Sequence, residues 1–360
     1  MKKIFFKNVA YSELDKQKDK RQKLYMTIPL KMPLTLFVDP TNYCNFKCSF
    51  CPRSFDDYKK FIGKYTHMSL ELFKKIAAEI SLWGKLKSLK LYYIGEPFLN
   101  PEIIEFIKLA IYYDISERIE ITSNGSVLNS KIADSLVNAA KSYSGIIYLR
   151  FSIYSVNQIN HNQLTRSTMS IDRIKENIKY LRVARDIGKA QNIHIYAKMI
   201  NTYSEDNELF IQSYKNIADE TCIEEPMDWN NFENRSLLSN TYKKNELNYI
   251  RSKILDNRRA CSYPFYSLTI NADGSVVCCC VDWNRKTYIG NINKYSLKEI
   301  WEGQALRNFP LMHIEGHRSM NEYCRNCTIL HELPETDNID SITAEEYKRR
   351  IGNIEINNLL

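Results

Sequence analysis

No apolar run in this 360-residue chain approaches the ~20 residues that a membrane-spanning helix needs. The basic N-terminus, Met1 to Lys7, has an apolar stretch that breaks off after three positions, far short of the core of an export signal. A cytoplasmic protein without a membrane partner is therefore expected. A sustained basic block is also missing. The net charge of +8 is spread along the chain, in part as Lys-Lys and Arg-Arg pairs at 59–60, 74–75, 243–244, 258–259 and 349–350. Nucleic-acid binders concentrate their charge on one face, so no nucleic-acid partner is expected, only a modest pull on phosphates or carboxylates. The histidines at 67, 161, 194, 313, 317 and 331 form no spaced metal motif, and no internal repeat stands out beyond an alternation of strands and helices. At 44% hydrophobic and 26% charged residues, the composition is that of a soluble globular protein with a substantial core.

What the chain does have is ten cysteines. In a reducing compartment these are thiols or metal ligands rather than disulfides. Cys44, Cys48 and Cys51 follow an apolar run with the spacing C-x3-C-x2-C, which offers three thiolates and withholds a fourth. A closed zinc site wants four ligands, and His67 is a candidate to complete one; an iron-sulfur cluster held by three protein sulfurs keeps one iron free. A second set, Cys261, Cys279, Cys324 and Cys327, has enough thiolates to enclose a whole cluster, or a zinc ion as in a zinc ribbon. Cys222 stands alone and reads as a buried thiol.

From residue 34 onward, short apolar runs at 34–39, 88–94, 118–122, 147–153, 194–200 and 221–224 alternate with helical patterns near 69–83, 100–113, 128–141, 170–188 and 205–218. This is the signature of βα units and a parallel sheet. Six units fall short of the eight in a closed TIM barrel, so the expected fold class is α/β, a partial (β/α)6 TIM-type barrel. Its distinctive motifs all fall at strand C-terminal ends, where such folds bind ligands. Beyond about residue 235 the pattern changes to a helical stretch at 240–257, a hairpin around Asp273-Gly274, a helix at 296–308 and a terminal stretch that is a weakly ordered tail or a docking helix.

The run Cys44-Asn-Phe-Lys-Cys48-Ser-Phe50-Cys51 at the first strand end resembles the cluster loop of the radical S-adenosylmethionine (SAM) superfamily, and further motifs recur in order. Ile94-Gly95-Glu96-Pro97 resembles the family's second-strand motif, with Ile94 where many members have glycine. Ile121-Thr-Ser123-Asn124-Gly125 resembles the third-strand ending. Arg150-Phe-Ser152-Ile-Tyr154 resembles the fourth, with Tyr154 where many members have aspartate. The resemblance implies a cluster on Cys44, Cys48 and Cys51, and SAM contacts from Phe50, Gly95, Glu96, Ser123, Ser152 and Arg166, with Arg185 as the competing arginine.

Cys261, the Gly274-x4-Cys279 spacing and Cys324-x2-Cys327 resemble the SPASM and shortened twitch extensions of that superfamily. They imply one auxiliary 4Fe-4S cluster, hence two 4Fe-4S clusters in all. Successive side chains on an extended strand alternate faces. Cys279 is accordingly taken as the ligand, with Cys278 and Cys280 as packed thiols or neighbours of the substrate. The implied layout is an N-terminal extension at 1–33, a radical SAM core at 34–235, a SPASM/twitch-like domain at 236–335 and a tail at 336–360.

The cysteine spacing is most similar to that of single-cluster dehydrogenases. These imply oxidation of a small-molecule alcohol, such as that of a sugar or aminocyclitol, with a flavodoxin- or ferredoxin-type electron donor. A peptide-modifying maturase and a zinc-binding interaction module are the alternatives. Arg150, Tyr154 and Glu224 are pocket candidates from their place at strand ends, and Trp229 and Trp283 read mainly as packing residues.

Overall fold

The structure, a computed structural model, describes residues 22–202, 204–224, 258–325, 327, 329–331 and 333–359. The expected helix at 240–257 and Trp229 lie outside the described residues. Six parallel strands, β1 (Thr35–Val38), β2 (Ser88–Lys90), β3 (Arg118–Ser123), β4 (Ile146–Ile153), β5 (Ile193–Ile200) and β6 (Glu220–Glu224), lie side by side in sequence order. They are joined by helices α1 (Tyr58–Ile62), α2 (Leu70–Trp83), α3 (Ile103–Tyr112), α4 (Ser130–Ala140), α5 (Gln158–Thr165), α6 (Ile171–Ile187) and α7 (Asp206–Tyr214).

Local chemistry starts these helices where the sequence alters its period. Ser69, Asn129, Asn157 and Ser170 each accept a first-turn backbone N–H at the N-caps of α2, α4, α5 and α6. The apolar stripes then pack on the sheet's outer face. Phe73, Ile76 and Ile80 of α2 lie against Phe106 and Ile107 of α3, with the rings of Phe73 and Phe106 stacked at 4.3 Å. The polar helix α5 has no apolar periodicity, and the sequence reading did not find it.

The expected hairpin continues this sheet. Strand β7 (Ser267–Ile270) pairs in parallel with β1 from Thr35↔Ser267 to Val38↔Ile270. Strands β8 (Ser275–Val277) and β9 (Tyr288–Asn291) follow antiparallel, giving the order β6-β5-β4-β3-β2-β1-β7-β8-β9 and leaving the barrel open. The turn between β7 and β8 works as its residues suggest. Gly274 takes φ 83°, while the Asp273 carboxylate accepts from the N–H and Oγ of Ser275 at 3.0 and 2.7 Å.

The helix expected at 296–308 is two helices. Gly303, with extended backbone, ends α8 (Leu297–Glu302) and opens α9 (Gln304–Ile314). The terminal stretch contains a docked helix, α10 (Ala344–Leu359), whose Tyr347 ring lies 5.5 Å from Phe265. Arg350 of α10 donates to the carbonyls of Tyr25 and Ile28 at 2.8 and 2.9 Å. Among the described residues no helix is long and apolar enough to cross a membrane.

Candidate functional site at the strand C-terminal ends

The loop after β1 carries Cys44, Cys48 and Cys51 across the mouth of the barrel and is tied down on several sides. Lys47 and Ser49 donate backbone N–H groups to the carbonyls of Thr165 and Leu164 at the end of α5, both at 2.9 Å. Arg53 donates to the carbonyls of Asn42 and Cys44 and lies 5.7 and 5.3 Å from the ring centres of Tyr58 and Tyr65. Sequence reasoning passed over Arg53, whose only signal was its place just after the Cys51-Pro52 pair.

The three thiols share a dry environment. Burial, with the Glu96 charge adding to it, pushes Cys44 up to about 12. Burial and the neighbouring thiolates of Cys51 and Cys44 hold Cys48 well above the usual thiol range. Such a set ionises only against a compensating cation. Two N–H groups already point at Cys44 Sγ, that of Phe46 at 3.4 Å and the Asn124 side-chain amide at 4.0 Å. His67 instead stacks on Tyr43, with ring centres 4.7 Å apart. Among the described residues no three His, Cys, Asp or Glu groups form a site for a metal ion.

Gly95 is where the second motif meets the cysteine loop. A Cβ there would lie 1.7 Å from the Thr41 carbonyl oxygen, and the absence of one lets Glu96 N–H reach the Tyr43 carbonyl at 2.8 Å. The buried Glu96 carboxylate then joins the second and third strand ends. It accepts from Ser123 Oγ and Asn124 N–H, each at 2.7 Å, and from Phe98 N–H at 3.2 Å. Burial, opposed by these donors, raises Glu96 to about 7. Asn124 extends the network by donating to Asn45 at 3.0 Å. The Ser-Asn-Gly segment thus connects the acid to the cysteine loop.

At the fourth strand end, Ser152 is partly buried and shares the barrel-facing side of β4 with Tyr148 and Arg150 by strand alternation. Tyr154 packs among the cysteines, its ring 5.4 Å from Phe50 and 6.4 Å from Phe46. Arg166 caps the end of α5 in the left-handed region, φ 50°, exposed and without hydrogen bond or ion pair among the described residues. Arg185, the competing arginine, is remote from these ends. It is buried beside the start of β5, donating to the Ile193 carbonyl and paired with Asp186 and Asp219.

The second cysteine set gathers where β8 ends. Burial comes first in raising Cys261, and the thiolates of Cys327, Cys324 and Cys280 add to it; Cys279 feels Cys280, Cys261 and Cys327 in the same way. Cys278 points away, donating its thiol to the Thr287 carbonyl at 3.3 Å in the main core. Cys280, however, lies in the same neighbourhood as Cys279. Pairing of β8 stops at Val277, so strict alternation of faces no longer governs the three cysteines. Trp283 packs against Phe55, Tyr58 and Phe61, and Cys222 lies buried with Tyr148 and Tyr196.

Asp39, just past β1, is a further buried acid, with Oδ1 lacking any hydrogen-bond partner among the described residues. Burial raises it from an ordinary 3.8 to about 8 against the smaller opposing effects of the Thr41 N–H, Arg285 and Arg53, with Asp273 adding to the rise. Because the folded value lies above the unfolded one, its contribution to stability is complete below about 3.8 and is lost as pH rises through about 8. Asp39→Asn should therefore gain on the order of a few kcal/mol over wild type between pH 5 and pH 8. Urea unfolding of the cluster-free proteins at both pH values measures this; a pH-independent difference would show that Asp39 titrates normally.

Comparison with known proteins agrees with this geometry. A family model for the radical SAM superfamily matches residues 38–195, and one for the SPASM iron-sulfur cluster-binding domain matches residues 261–328. A curated relative, the S-adenosyl-L-methionine-dependent 2-deoxy-scyllo-inosamine dehydrogenase of Niallia circulans, is 30% identical over 104 residues, which span 27% of this chain and 38% of that enzyme. The crystal structure of BtrN in complex with AdoMet and 2-DOIA shares the fold at 17% identity and a TM-score of 0.52, covering 82% of this chain and 93% of that one. Streptococcus suis SuiB bound to precursor peptide SuiA does so at 16% identity and a TM-score of 0.58, covering 90% and 77%. The two domains thus lie in sequence order on a partial parallel barrel: the chain carries a radical SAM superfamily domain at 38–195 and a C-terminal SPASM iron-sulfur cluster-binding domain at 261–328.

Proposed function

We propose that this protein is a radical SAM oxidoreductase that oxidises an alcohol of a small molecule, a sugar or cyclitol being the nearest class. In this reading Cys44, Cys48 and Cys51 hold an open 4Fe-4S cluster, and Cys261, Cys279, Cys324 and Cys327 hold a closed auxiliary one. The observation that carries it is the bonded chain from Glu96 through Asn124 to Cys44 Sγ, which joins three strand ends at one place. When bound, SAM and the open cluster supply reductive cleavage to methionine and a 5′-deoxyadenosyl radical that takes a substrate hydrogen.

The chain's own residues position and shield. Glu96, already accepting three hydrogen bonds, keeps lone-pair capacity for the methionyl ammonium. Ser123 and Ser152 offer hydroxyls, Arg166 is a cation unpaired among the described residues and suits the carboxylate, and Phe50 with Tyr154 excludes water beside the sulfurs. Reducing equivalents come from a flavodoxin- or ferredoxin-type donor. The likeness in fold to SuiB, solved with a peptide, favours a peptide substrate as the second reading.

Metal and sulfide analysis after anaerobic reconstitution tests the cofactor assignment. About eight irons per chain are expected from two four-iron clusters. Cys279→Ala should fall to about four while still forming 5′-deoxyadenosine. Zinc without sulfide would overturn the proposal, and iron loss on changing Cys280 instead would move the ligand by one position. Transfer of isotope into 5′-deoxyadenosine from labelled cyclitols or peptides then separates the two substrate readings.

A further inference from the structure

Inside the barrel the strands present more cations than carboxylates. Glu120 is bridged by Arg118 Nη2 at 2.6 Å and Lys90 Nζ at 3.5 Å, and Glu224 by Arg150 Nη2 at 2.9 Å and Lys198 Nζ at 2.7 Å. Burial works against ionisation of both acids, yet the cations around them override it and hold each down to about 2. Both are therefore fully charged and already shared between two partners. Glu220, a third acid on this face, is taken by Tyr148 Oη at 3.2 Å and His194 at 3.3 Å. Among these described residues, Lys90, Arg118, Arg150 and Lys198 outnumber the three carboxylates.

The surplus lies where a ligand can reach it. Side-chain exposure is 22% for Arg150 and 21% for Lys198, so neither is sealed in the core. Among the described residues Arg150 Nη1 reaches only Tyr92 Oη, at 3.5 Å, and its guanidinium lies 5.4 Å from the Tyr196 ring centre. Lys198 has three protons and spends one on Glu224. Thr122 Oγ1, on the residue that pairs with Arg150 in the sheet, is buried and has no hydrogen-bond partner among the described residues. Arg150 stands two residues before Ser152 on β4, and Lys198 is across from Ser152 on β5. A cation in a partly dry cleft with unused donors is stabilised by an anion that brings acceptors.

We infer that the substrate of this protein carries an anionic oxygen group, a carboxylate or a phosphate, and that Arg150 and Lys198 receive it in the barrel interior with Thr122 as an added hydrogen-bonding group. The inference rests on the radical SAM reading for what happens to that substrate, but the anion site stands on these residues alone. It separates this chain from enzymes whose substrate is an amine, because an ammonium group would meet like charge here.

The test is calorimetric titration of the reconstituted, SAM-loaded protein with four matched probes: glucuronate, glucose 6-phosphate, glucose and glucosamine. At least one acid should bind tenfold or more tightly than glucose and glucosamine. Preference for glucuronate marks a carboxylate site, and preference for glucose 6-phosphate a phosphate site. Arg150→Gln should cut the preferred acid's affinity at least tenfold, Arg150→Lys should restore part of it, and Lys198→Met should weaken it independently.

Three outcomes overturn the inference: glucose or glucosamine binding as well as the acids; neither acid binding at about 10 mM; or Arg150→Gln weakening SAM as much as the acid, which would assign Arg150 to the methionyl carboxylate. 5′-Deoxyadenosine formation from SAM and dithionite, without sugar, is read on the same preparations. Its absence would sink the radical reading whatever the sugars do. Its presence without a preference for acids would sink the anion site alone.

Discussion

Replacing any one of Cys44, Cys48 or Cys51 with alanine is expected to bring 5′-deoxyadenosine formation down to background. The three thiols share one loop; burial raises all three, the Cys51 thiolate adds to the rise at Cys44 and Cys48, and Cys44 adds to it at Cys48, so they work as a set. In the proposed reading, removing one would leave two sulfurs for a cluster that lacks a fourth protein ligand, and the iron would be lost or misplaced. The second set, built on the far side of β1 by β7 and β8, should keep its iron, so each variant retains about half the wild-type content. Product analysis by chromatography and iron assay on the same samples measures both effects. Persistent 5′-deoxyadenosine in all three variants would refute the radical assignment.

A comparably large effect is expected at a residue with no reactive atom. Gly95→Ala would put a Cβ 1.7 Å from the Thr41 carbonyl oxygen and 2.7 Å from that of Tyr43. Both are backbone atoms, so no side chain can swing aside. The loop must shift as a body, breaking the bond from Glu96 N–H to Tyr43 and misplacing Cys44. Overlap of this kind belongs with the exceptional destabilisations, about 4 kcal/mol or more. Urea unfolding should show the loss in the cluster-free protein, and cluster loading should fall with it. A Gly95→Ala protein with unchanged midpoint and full iron would mean that the two backbones do not meet as described.

The parts of the site legible in the sequence were those encoded over a few residues. A thiol spacing, a Gly-Glu-Pro turn and a Ser-Asn-Gly ending can each be read locally, and so can the alternation of apolar runs with capped helices. Long-range pairing was not legible. Nothing in Ser267–Ile270 says that it pairs in parallel with Thr35–Val38, since a parallel partner is chosen by the whole barrel rather than by a turn. Strand β9, four residues with a central glycine, and the polar helix α5 lack the periodicities by which strands and helices are recognised. The interior charges escaped for a different reason. Lys90, Glu120 and Lys198 lie within strand runs, where a charged residue is ordinarily read as solvent-facing; only closing the strands around a cleft gives them one another as partners.

The pairing of β7 with β1 has a mechanical consequence. Val38 and Ile270 are the last paired residues of two adjacent parallel strands; the chain runs on from the first to Cys44, and from the second it turns at Asp273-Gly274 and comes back along β8 to Cys279. Both sulfur sets thus hang from one hydrogen-bonded ladder, β1-β7-β8, within the sheet. In the proposed reading, where each set holds a cluster and electron transfer falls off steeply with distance, that shared ladder keeps the gap between the two constant.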